Sequence, residues 1–163
     1  MFPDDIERLA RTVIEAAAGR GLTIATAESC TGGLVSGALT AIAGSSAVVE
    51  RGLVTYSNAA KADLLGVPMD LIEQHGAVSR AVARAMAEGA LVRSTARVSV
   101  SVTGVAGPGG GSTDKPVGLV HFAAAGPAGL IHVEHRFGDI GREAVRLDSV
   151  RVALQLLLDR IGA

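Results

Sequence analysis

Apolar residues recur along the chain at spacings that predict helices in some segments and strands in others. Between residues 6 and 20, Ile6, Leu9 and Val13 share one helical face, and Ser79 is a favourable N-cap for a later helix. Short runs rich in β-branched residues, bounded by turn residues, predict strands. The predicted helices are 6–20, 34–42, 59–65, 69–74, 79–93 and 142–158. The predicted strands are 22–27, 48–56, 97–103, 117–125 and 130–137.

The order of these elements indicates the fold class. Helices and strands alternate first, and the last two strands then form a hairpin around Gly126-Pro127-Ala128-Gly129. Alternation favours parallel strands covered by helices on both faces, whereas a hairpin adds antiparallel pairing. We therefore expect an α/β protein with a mixed, mostly parallel sheet of about five strands. No repeat, linker or low-complexity segment divides the sequence, so residues 1–163 are expected to form a single domain.

Composition and charge narrow the classes of function. The net charge is −1, with three Phe, one Tyr and no Trp, so the chain lacks the basic field and aromatic platforms typical of nucleic-acid binding. No apolar run reaches the ~18 residues that a membrane span needs. The N-terminus has no basic and no apolar region of a signal peptide. We expect a soluble, cytoplasmic protein with no nucleic-acid and no membrane partner.

The first candidate for chemistry is the strand-to-helix turn Ala27-Glu28-Ser29-Cys30-Thr31-Gly32-Gly33. Ligands of open α/β sheets bind beyond the carboxyl ends of strands, where helix N-termini offer N–H groups to an anion or oxyanion. Ser29 and Cys30 are both possible nucleophiles, although a lone cysteine after a strand is more often buried packing. An equally strong alternative is that Ser29 or Thr31 only caps the following helix.

The second candidate is the segment Thr55-Tyr56-Ser57-Asn58-Ala59-Ala60-Lys61, which follows the second strand. A lysine of lowered pKa can serve as the base that a serine nucleophile requires, and Tyr56 would relay that proton or orient Lys61. On this segment alone, a strand-end turn with a solvated lysine is the favoured interpretation. Sequence spacing does not establish that Ser29 and Lys61 meet.

The third candidate begins where a strand with one polar face, 97–103, ends at Thr103. The glycine-rich loop 104–116 that follows could offer N–H groups to a phosphate or carboxylate, but it lacks the Gly-Lys-Ser/Thr of a P-loop. A flexible structural loop is the alternative. Arg142, in the first turn of the last predicted helix, would suit a phosphate if it faced a pocket.

Metal binding is not indicated by the sequence. The histidines show no HExxH spacing, and the single cysteine, Cys30, excludes both a multi-cysteine site and an intrachain disulfide. The four histidines are His75, His121, His132 and His135.

Taken together, the segments resemble the CinA C-terminal domain family, the nicotinamide-nucleotide amidohydrolases. The matching stretches run in the family's order and cover nearly the whole chain, with Val105 where isoleucine is usual. They are Ala27-Glu28-Ser29-Cys30-Thr31-Gly32-Gly33, Gly44-Ser45-Ser46, Gly52-Leu53-Val54-Thr55-Tyr56-Ser57-Asn58, Lys61, Gly76-Ala77-Val78-Ser79, Thr103-Gly104-Val105-Ala106-Gly107-Pro108 and Lys115-Pro116-Val117-Gly118.

The resemblance implies a three-layer α/β/α sandwich and hydrolysis of nicotinamide mononucleotide to nicotinic acid mononucleotide and ammonia, with no metal and no cofactor. It implies Ser29 as nucleophile, Lys61 as general base, Tyr56 in their proton network and Thr103 positioning substrate or water. The residues expected to contact substrate, through backbone N–H groups or side chains, are Cys30, Thr31, Gly32, Gly33, Gly104, Gly107 and Arg142.

Two other functions compete with this interpretation. One is a non-catalytic nucleotide-binding regulatory module, as names that link the family to competence and recombination suggest. The other is an amidase with Cys30 as its nucleophile. Apolar surface on the helix from Ser79 and on the late hairpin predicts a homo-oligomer, such as a dimer.

Overall fold

Five strands form one sheet in the computed structural model, which describes residues 1–163. The strands are β1 (Ile24–Glu28), β2 (Val49–Val54), β3 (Val98–Gly104), β4 (Leu119–Gly126) and β5 (Gly129–Arg136). They lie in the order β2-β1-β3-β4-β5, with β1 parallel to β2 and β3, and β4 antiparallel to β3 and β5. All strands except β4 therefore share one direction, which confirms the mixed, mostly parallel sheet.

Six α-helices cover the two faces of this sheet. They are α1 (Asp4–Gly19), α2 (Leu34–Thr40), α3 (Asn58–Leu65), α4 (Met69–His75), α5 (Arg80–Val92) and α6 (Arg142–Gly162). Helices α1, α2 and α6 pack together on one face, and α3, α4 and α5 pack on the other. The predicted three-layer α/β/α sandwich is confirmed. No helix combines the length and the apolar character that a membrane span requires.

The boundaries differ from the prediction where tertiary contacts intervene. Strand β1 begins at Ile24 because the N–H of Leu22 still closes α1 by donating to the Ala17 carbonyl. Strand β2 ends at Val54, two residues early, and leaves the next two carbonyls available to a side chain. Helix α6 continues past residue 158 to Gly162, since Ile161 is still buried in the core.

The polar face of β3 is buried rather than exposed to water. The hydroxyls of Ser99 and Ser101 each donate a 2.6 Å hydrogen bond to a carbonyl of α5, those of Ala87 and Ala83. Such bonds satisfy polar groups that would be costly to bury unpaired. Because serine and alanine are small, α5 packs close to the sheet here. The opposite face of β3 carries Val98, Val100 and Val102 into the main core.

Helix α5 also approaches α3 closely, and Gly89 makes this approach possible. A Cβ atom at position 89 would overlap the carbonyl group of Leu65 at the end of α3. The carbonyl is backbone, so it cannot swing aside as a flexible side chain would. Gly89 therefore fixes the position of the helix that carries Lys61.

We expect Gly89→Ala to lower the free energy of unfolding by about 1–3 kcal/mol, because overpacking outweighs the helix propensity of alanine, worth about 1 kcal/mol. Urea denaturation measures this change. Gly19→Ala is the matched control, since nothing lies within 4 Å of a Cβ there and its stability should not fall. Native-like stability of Gly89→Ala would contradict the close approach of the two helices.

The connection from β1 to α2 is held by a buried carboxylate. Glu28 accepts hydrogen bonds from the backbone N–H groups of Val35 (2.8 Å) and Ser36 (3.0 Å), and its side chain is fully buried. The Thr26 hydroxyl donates a third bond, of 3.1 Å. A carboxylate at a helix N-terminus satisfies free N–H groups and interacts favourably with the helix dipole. Glu28 thereby fixes the first turn of α2 to the end of β1.

Glu28→Ala is expected to cost about 3 kcal/mol or more of unfolding free energy, since it leaves two buried N–H groups without acceptors. Glu28→Gln, which keeps one acceptor oxygen, should cost less. Equilibrium denaturation of both variants tests this order. Glu15→Ala, on the exposed side of α1, should change stability by no more than about 0.5 kcal/mol. Equal costs for Glu28→Ala and Glu15→Ala would show that the buried carboxylate does not anchor α2.

Candidate active site

A cavity of about 320 Å³ opens at the carboxyl ends of β1, β2 and β3. Because these strands are parallel neighbours, the three segments that follow them meet at the same edge of the sheet. The cavity is lined by Ser29 after β1, by Tyr56 and Lys61 after β2, and by Thr103 with the glycine-rich loop after β3. Sheet topology therefore unites the three candidate segments of the sequence.

The central contact of the site joins Ser29 and Lys61. Lys61 Nζ lies 2.9 Å from Ser29 Oγ, although the two residues are 32 positions apart in sequence. Ser29 lies directly after β1, and Lys61 lies in α3, whose first turn is capped by Ser57. Residue Lys61 is 1% exposed and residue Ser29 is 9% exposed. The structure thus places the serine hydroxyl and the lysine amine in direct contact, which sequence spacing could not do.

The surroundings of Lys61 disfavour its charged form. Its Nζ donates to the carbonyl oxygens of Thr55 (2.8 Å) and Tyr56 (3.2 Å), and it forms no ion pair with any carboxylate. Burial lowers the pKa of Lys61 below its ordinary value of 10.5. A larger fraction of neutral amine is therefore available to accept a proton, which is the condition for a lysine general base.

Tyr56 contributes two different groups to the site. Its backbone carbonyl faces Lys61 and lies 3.5 Å from Ser29 Oγ, from which it accepts a hydrogen bond. Its phenol hydroxyl instead accepts a 3.1 Å bond from Arg142 at the mouth of the cavity. Tyr56 thus meets Lys61 through its backbone carbonyl, whereas its hydroxyl meets Arg142. The expected part of Tyr56 in a proton network stays a prediction.

Arg142 bridges two walls of the cavity. Its Nη1 donates a 2.8 Å bond to the carbonyl of Gly107, and its Nη2 donates to the Tyr56 hydroxyl. Neither partner is charged, and Arg142 takes part in no salt bridge. Its positive charge is therefore not neutralised by a carboxylate, and Arg142 lines the cavity that also holds Ser29 and Lys61.

The glycine-rich loop forms one side of the cavity, with Gly104 and Gly107 among its lining residues. Gly107 has φ +80°, and a Cβ atom there would lie 2.6 Å from the side chain of Val117, so glycine is required. The Thr103 hydroxyl donates a hydrogen bond of 2.9 Å to the Ala77 carbonyl. This bond connects the end of β3 to the segment before α5. Thr103 also lines the cavity, close to where a substrate or water would lie.

The thiol of Cys30 is poorly suited to nucleophilic attack. The side chain packs in the main core, and burial raises the pKa of the thiol to about 12. The thiolate, which is the reactive form, is therefore scarce near neutral pH. The geometry favours Ser29 over Cys30 as the candidate nucleophile, and Cys30 packs in the core at the edge of the cavity that it helps to line.

Three residues of the same turn do not line the cavity. Thr31 is fully buried, Gly32 lies against the guanidinium of Arg146, and Gly33 lies against Val54. The sequence pattern suggested that the N-terminus of α2 is free to bind an anion. In the structure it is occupied, because the Glu28 carboxylate accepts the N–H groups of Val35 and Ser36. None of Thr31, Gly32 and Gly33 is part of the cavity lining, and their expected contacts through backbone N–H groups stay predictions.

Sequence reasoning missed several polar residues around this site. Glu28 has no role in the sequence-based prediction, because it ends β1 and reaches the N–H groups of α2 only across the intervening turn. Asn58 lines the cavity from the first turn of α3, and its position after Ser57 could have suggested this. Arg146 contacts the nucleophile turn from α6, and no local pattern indicates that contact. No cluster of three or more His, Cys, Asp or Glu side chains is arranged to hold a metal.

Comparison with known proteins agrees with this architecture. The family model described as the CinA C-terminal domain matches residues 6–161. A CinA-like protein of Synechococcus sp. (strain RCC307) is 56% identical over 157 residues, which are 96% of this chain and 38% of that relative's length. A CinA-like protein of Anaeromyxobacter sp. (strain K) is 48% identical over 158 residues, which again cover 96% of this chain and 38% of that relative's length. The chain thus spans well under half the length of these curated relatives.

Solved structures match over the whole chain. The competence/damage inducible protein CihA of Agrobacterium tumefaciens superposes with a TM-score of 0.97 at 57% identity, covering 100% of this chain and 99% of that one. A competence-damaged protein (CinA) superfamily member of Escherichia coli superposes with a TM-score of 0.90 at 36% identity. The match covers 97% of this chain and 92% of that one. The family model, the relatives and the structures agree, and the chain belongs to the CinA C-terminal domain family.

Proposed function

We propose that this protein is an amidohydrolase that converts nicotinamide mononucleotide and water to nicotinic acid mononucleotide and ammonia, in pyridine nucleotide recycling. The observation that carries the proposal is the 2.9 Å contact between Ser29 Oγ and a buried Lys61 that has no carboxylate partner. A serine and a lysine of lowered pKa, in contact beside a cavity, form a pair suited to acyl transfer. The resemblance of the motifs to nicotinamide-nucleotide amidohydrolases suggests the substrate.

The proton balance at Lys61 suits this chemistry. A neutral lysine amine has two N–H bonds and one lone pair, and three oxygen atoms lie within hydrogen-bond distance of Nζ. The carbonyls of Thr55 and Tyr56 can only accept, so they take the two N–H bonds. The lone pair then faces the hydroxyl of Ser29, and in this state the Ser29 proton turns from the Tyr56 carbonyl to the amine. After the proton is transferred, the ammonium donates to all three oxygen atoms without moving.

The reaction proceeds in two halves. Ser29 Oγ attacks the carboxamide carbon while its proton passes to Lys61, and the carbonyl oxygen becomes an oxyanion. Backbone N–H groups of the turn after Ser29 would stabilise this charge, each donor being worth about 2.7–4 kcal/mol. Lys61 then returns the proton to the leaving nitrogen, and ammonia departs. Water, deprotonated by Lys61, releases the acid, and the proton returns to Ser29.

Recognition of the mononucleotide phosphate is assigned to the mouth of the cavity. Arg142 presents a guanidinium there that is hydrogen-bonded only to neutral groups, and guanidinium groups bind phosphate in a bidentate manner. Gly104 and Gly107 allow the loop backbone to approach the ligand closely. The phosphate would therefore lie between Arg142 and the glycine-rich loop, with the carboxamide at Ser29.

A non-catalytic nucleotide-binding module is the second candidate, because the names of the related structures refer to competence and damage and assign no reaction. The two candidates differ in one measurable outcome. An enzyme releases ammonia from the mononucleotide, whereas a binding module retains the nucleotide unchanged.

We expect Ser29→Ala and Lys61→Met each to lower kcat for ammonia release on the order of 10³-fold or more, because each removes one half of the nucleophile–base pair. A coupled ammonia assay with nicotinamide mononucleotide measures this loss. In the native protein, kcat/KM should rise with pH and level off above the pKa of Lys61, which burial holds below 10.5.

Cys30→Ala is the control for the nucleophile and should retain turnover. Nicotinamide riboside and free nicotinamide are the controls for the substrate and should react poorly, since neither offers a phosphate to Arg142. Near-native turnover by Ser29→Ala would exclude the covalent route. Nucleotide binding without ammonia release by the native protein would favour the non-catalytic module.

Lys61→Met is also expected to raise the melting temperature at neutral pH, because it removes a buried group whose charged form is disfavoured. Between the lowered folded-state pKa and 10.5, the unfolded chain binds a proton that the folded chain does not bind. Native stability therefore rises with pH across this window, and the advantage of Lys61→Met should shrink. Calorimetry of both proteins from pH 7 upward tests the trend.

Ser29→Ala is the matched control for that experiment, because it is inactive yet leaves the lysine in place. If both variants were stabilised equally at all pH values, the gain would not come from the charge of Lys61.

A further inference from the structure

Arg146 makes an unusual pair of contacts for an arginine of a surface helix. It lies one turn after Arg142 on α6. Its Nε donates a hydrogen bond of 3.1 Å to the carbonyl of Cys30, and its Nη2 donates one of 3.2 Å to the carbonyl of Thr31. It does not line the cavity and forms no salt bridge. Arg151, further along the same helix, pairs instead with Asp5 and Asp148.

The two carbonyls belong to the turn that carries the nucleophile. In a trans peptide, the C=O and the following N–H point in opposite directions from one rigid plane. A donor that holds the Cys30 carbonyl therefore directs the N–H of Thr31 away from the guanidinium. In the same turn, the Gly32 N–H donates to the Ser29 carbonyl at 3.0 Å. Both ends of this short segment are thus fixed.

Three donors of the turn are left over. The N–H groups of Cys30, Thr31 and Gly33 lie outside every helix and strand and donate to no oxygen of the protein. The Glu28 carboxylate, in contrast, accepts the first N–H groups of α2. Of these three, the donors of Cys30 and Thr31 are the nearest to Ser29 in sequence, and that of Thr31 is oriented by the bond from Arg146 to the Cys30 carbonyl.

We propose that Arg146 is a positioning residue that sets the oxyanion donors of the nucleophile turn from outside the cavity. Its two hydrogen bonds fix the planes of the peptides after Cys30 and Thr31. Its unpaired positive charge polarises those peptides, which makes their N–H groups better donors. This inference rests on the proposed acyl-transfer function, but not on the identity of the substrate.

The test compares Arg146→Ala and Arg146→Lys with Arg160→Ala. Arg160 is a matched control, because it also lies on α6 and donates to a carbonyl, that of Ala128 at 3.3 Å, but does not line the cavity. Two rates are measured for each protein: turnover of nicotinamide mononucleotide, and phosphonylation of Ser29 by a fluorophosphonate. The second rate requires an activated serine and oxyanion donors, but no pyridine nucleotide.

Arg146→Ala is expected to lower kcat and the phosphonylation rate about 10- to 100-fold, a fraction of the effect of deleting an oxyanion donor, with KM changed less than about threefold. Added guanidinium ion should restore part of both rates in Arg146→Ala. It should raise neither rate in Arg160→Ala. Arg146→Lys, which keeps the charge and one donor, should lie between Arg146→Ala and the native protein. Partial rescue by guanidinium would not be expected from an arginine that only stabilises the fold.

Native rates in a folded Arg146→Ala would overturn the inference, as would a loss of activity that only follows the loss of folded protein in circular dichroism. If Arg146→Ala does not fold, a native rate in Arg146→Gln overturns it equally. A native protein that reacts at Ser29 in an Arg146-dependent way, yet releases no ammonia, refutes the proposed substrate and leaves the role of Arg146 intact. Failure of Ser29 to react in the native protein refutes both.

Discussion

The burial of Lys61 is the constraint on which the rest of the site depends. A buried amine with no carboxylate partner needs hydrogen-bond acceptors, and the carbonyls of Thr55 and Tyr56 supply them. Those carbonyls are free because β2 ends at Val54, two residues before the sequence pattern suggested. The third neighbour is Ser29 Oγ, which is the reaction partner of Lys61 in the proposed mechanism.

The scaffold around this pair consists largely of buried polar groups that are bonded to one another. Glu28 holds the start of α2, while Ser99 and Ser101 hold α5 against the sheet. Each of these bonds removes a donor or acceptor from the list of groups that could bind a ligand. The groups that remain, notably the guanidinium of Arg142 and the backbone donors after Ser29, are those that face a substrate in the proposed reaction.

Local patterns predicted most of the architecture because they depend on neighbours in sequence. The cap at Ser79, the hairpin at Gly126-Pro127-Ala128-Gly129 and the six helices follow from short-range geometry, and the structure confirms them. Boundaries were wrong where a distant group intervened, as at the end of β2. The polar face of β3 was recognised, but its burial against α5 depended on packing between elements far apart in the chain.

The sequence by itself determined the α/β class, and it singled out three candidate segments and, through resemblance, Ser29 and Lys61 as the proposed nucleophile and base. Only the tertiary structure decided that these two side chains meet, that the Tyr56 hydroxyl turns to Arg142, and that Glu28 occupies the helix terminus once considered for an anion. The physical reason is that a pattern of residues specifies what each segment can form. Which donor reaches which acceptor is settled by the order of strands in the sheet and by the cost of leaving any buried polar group unpaired.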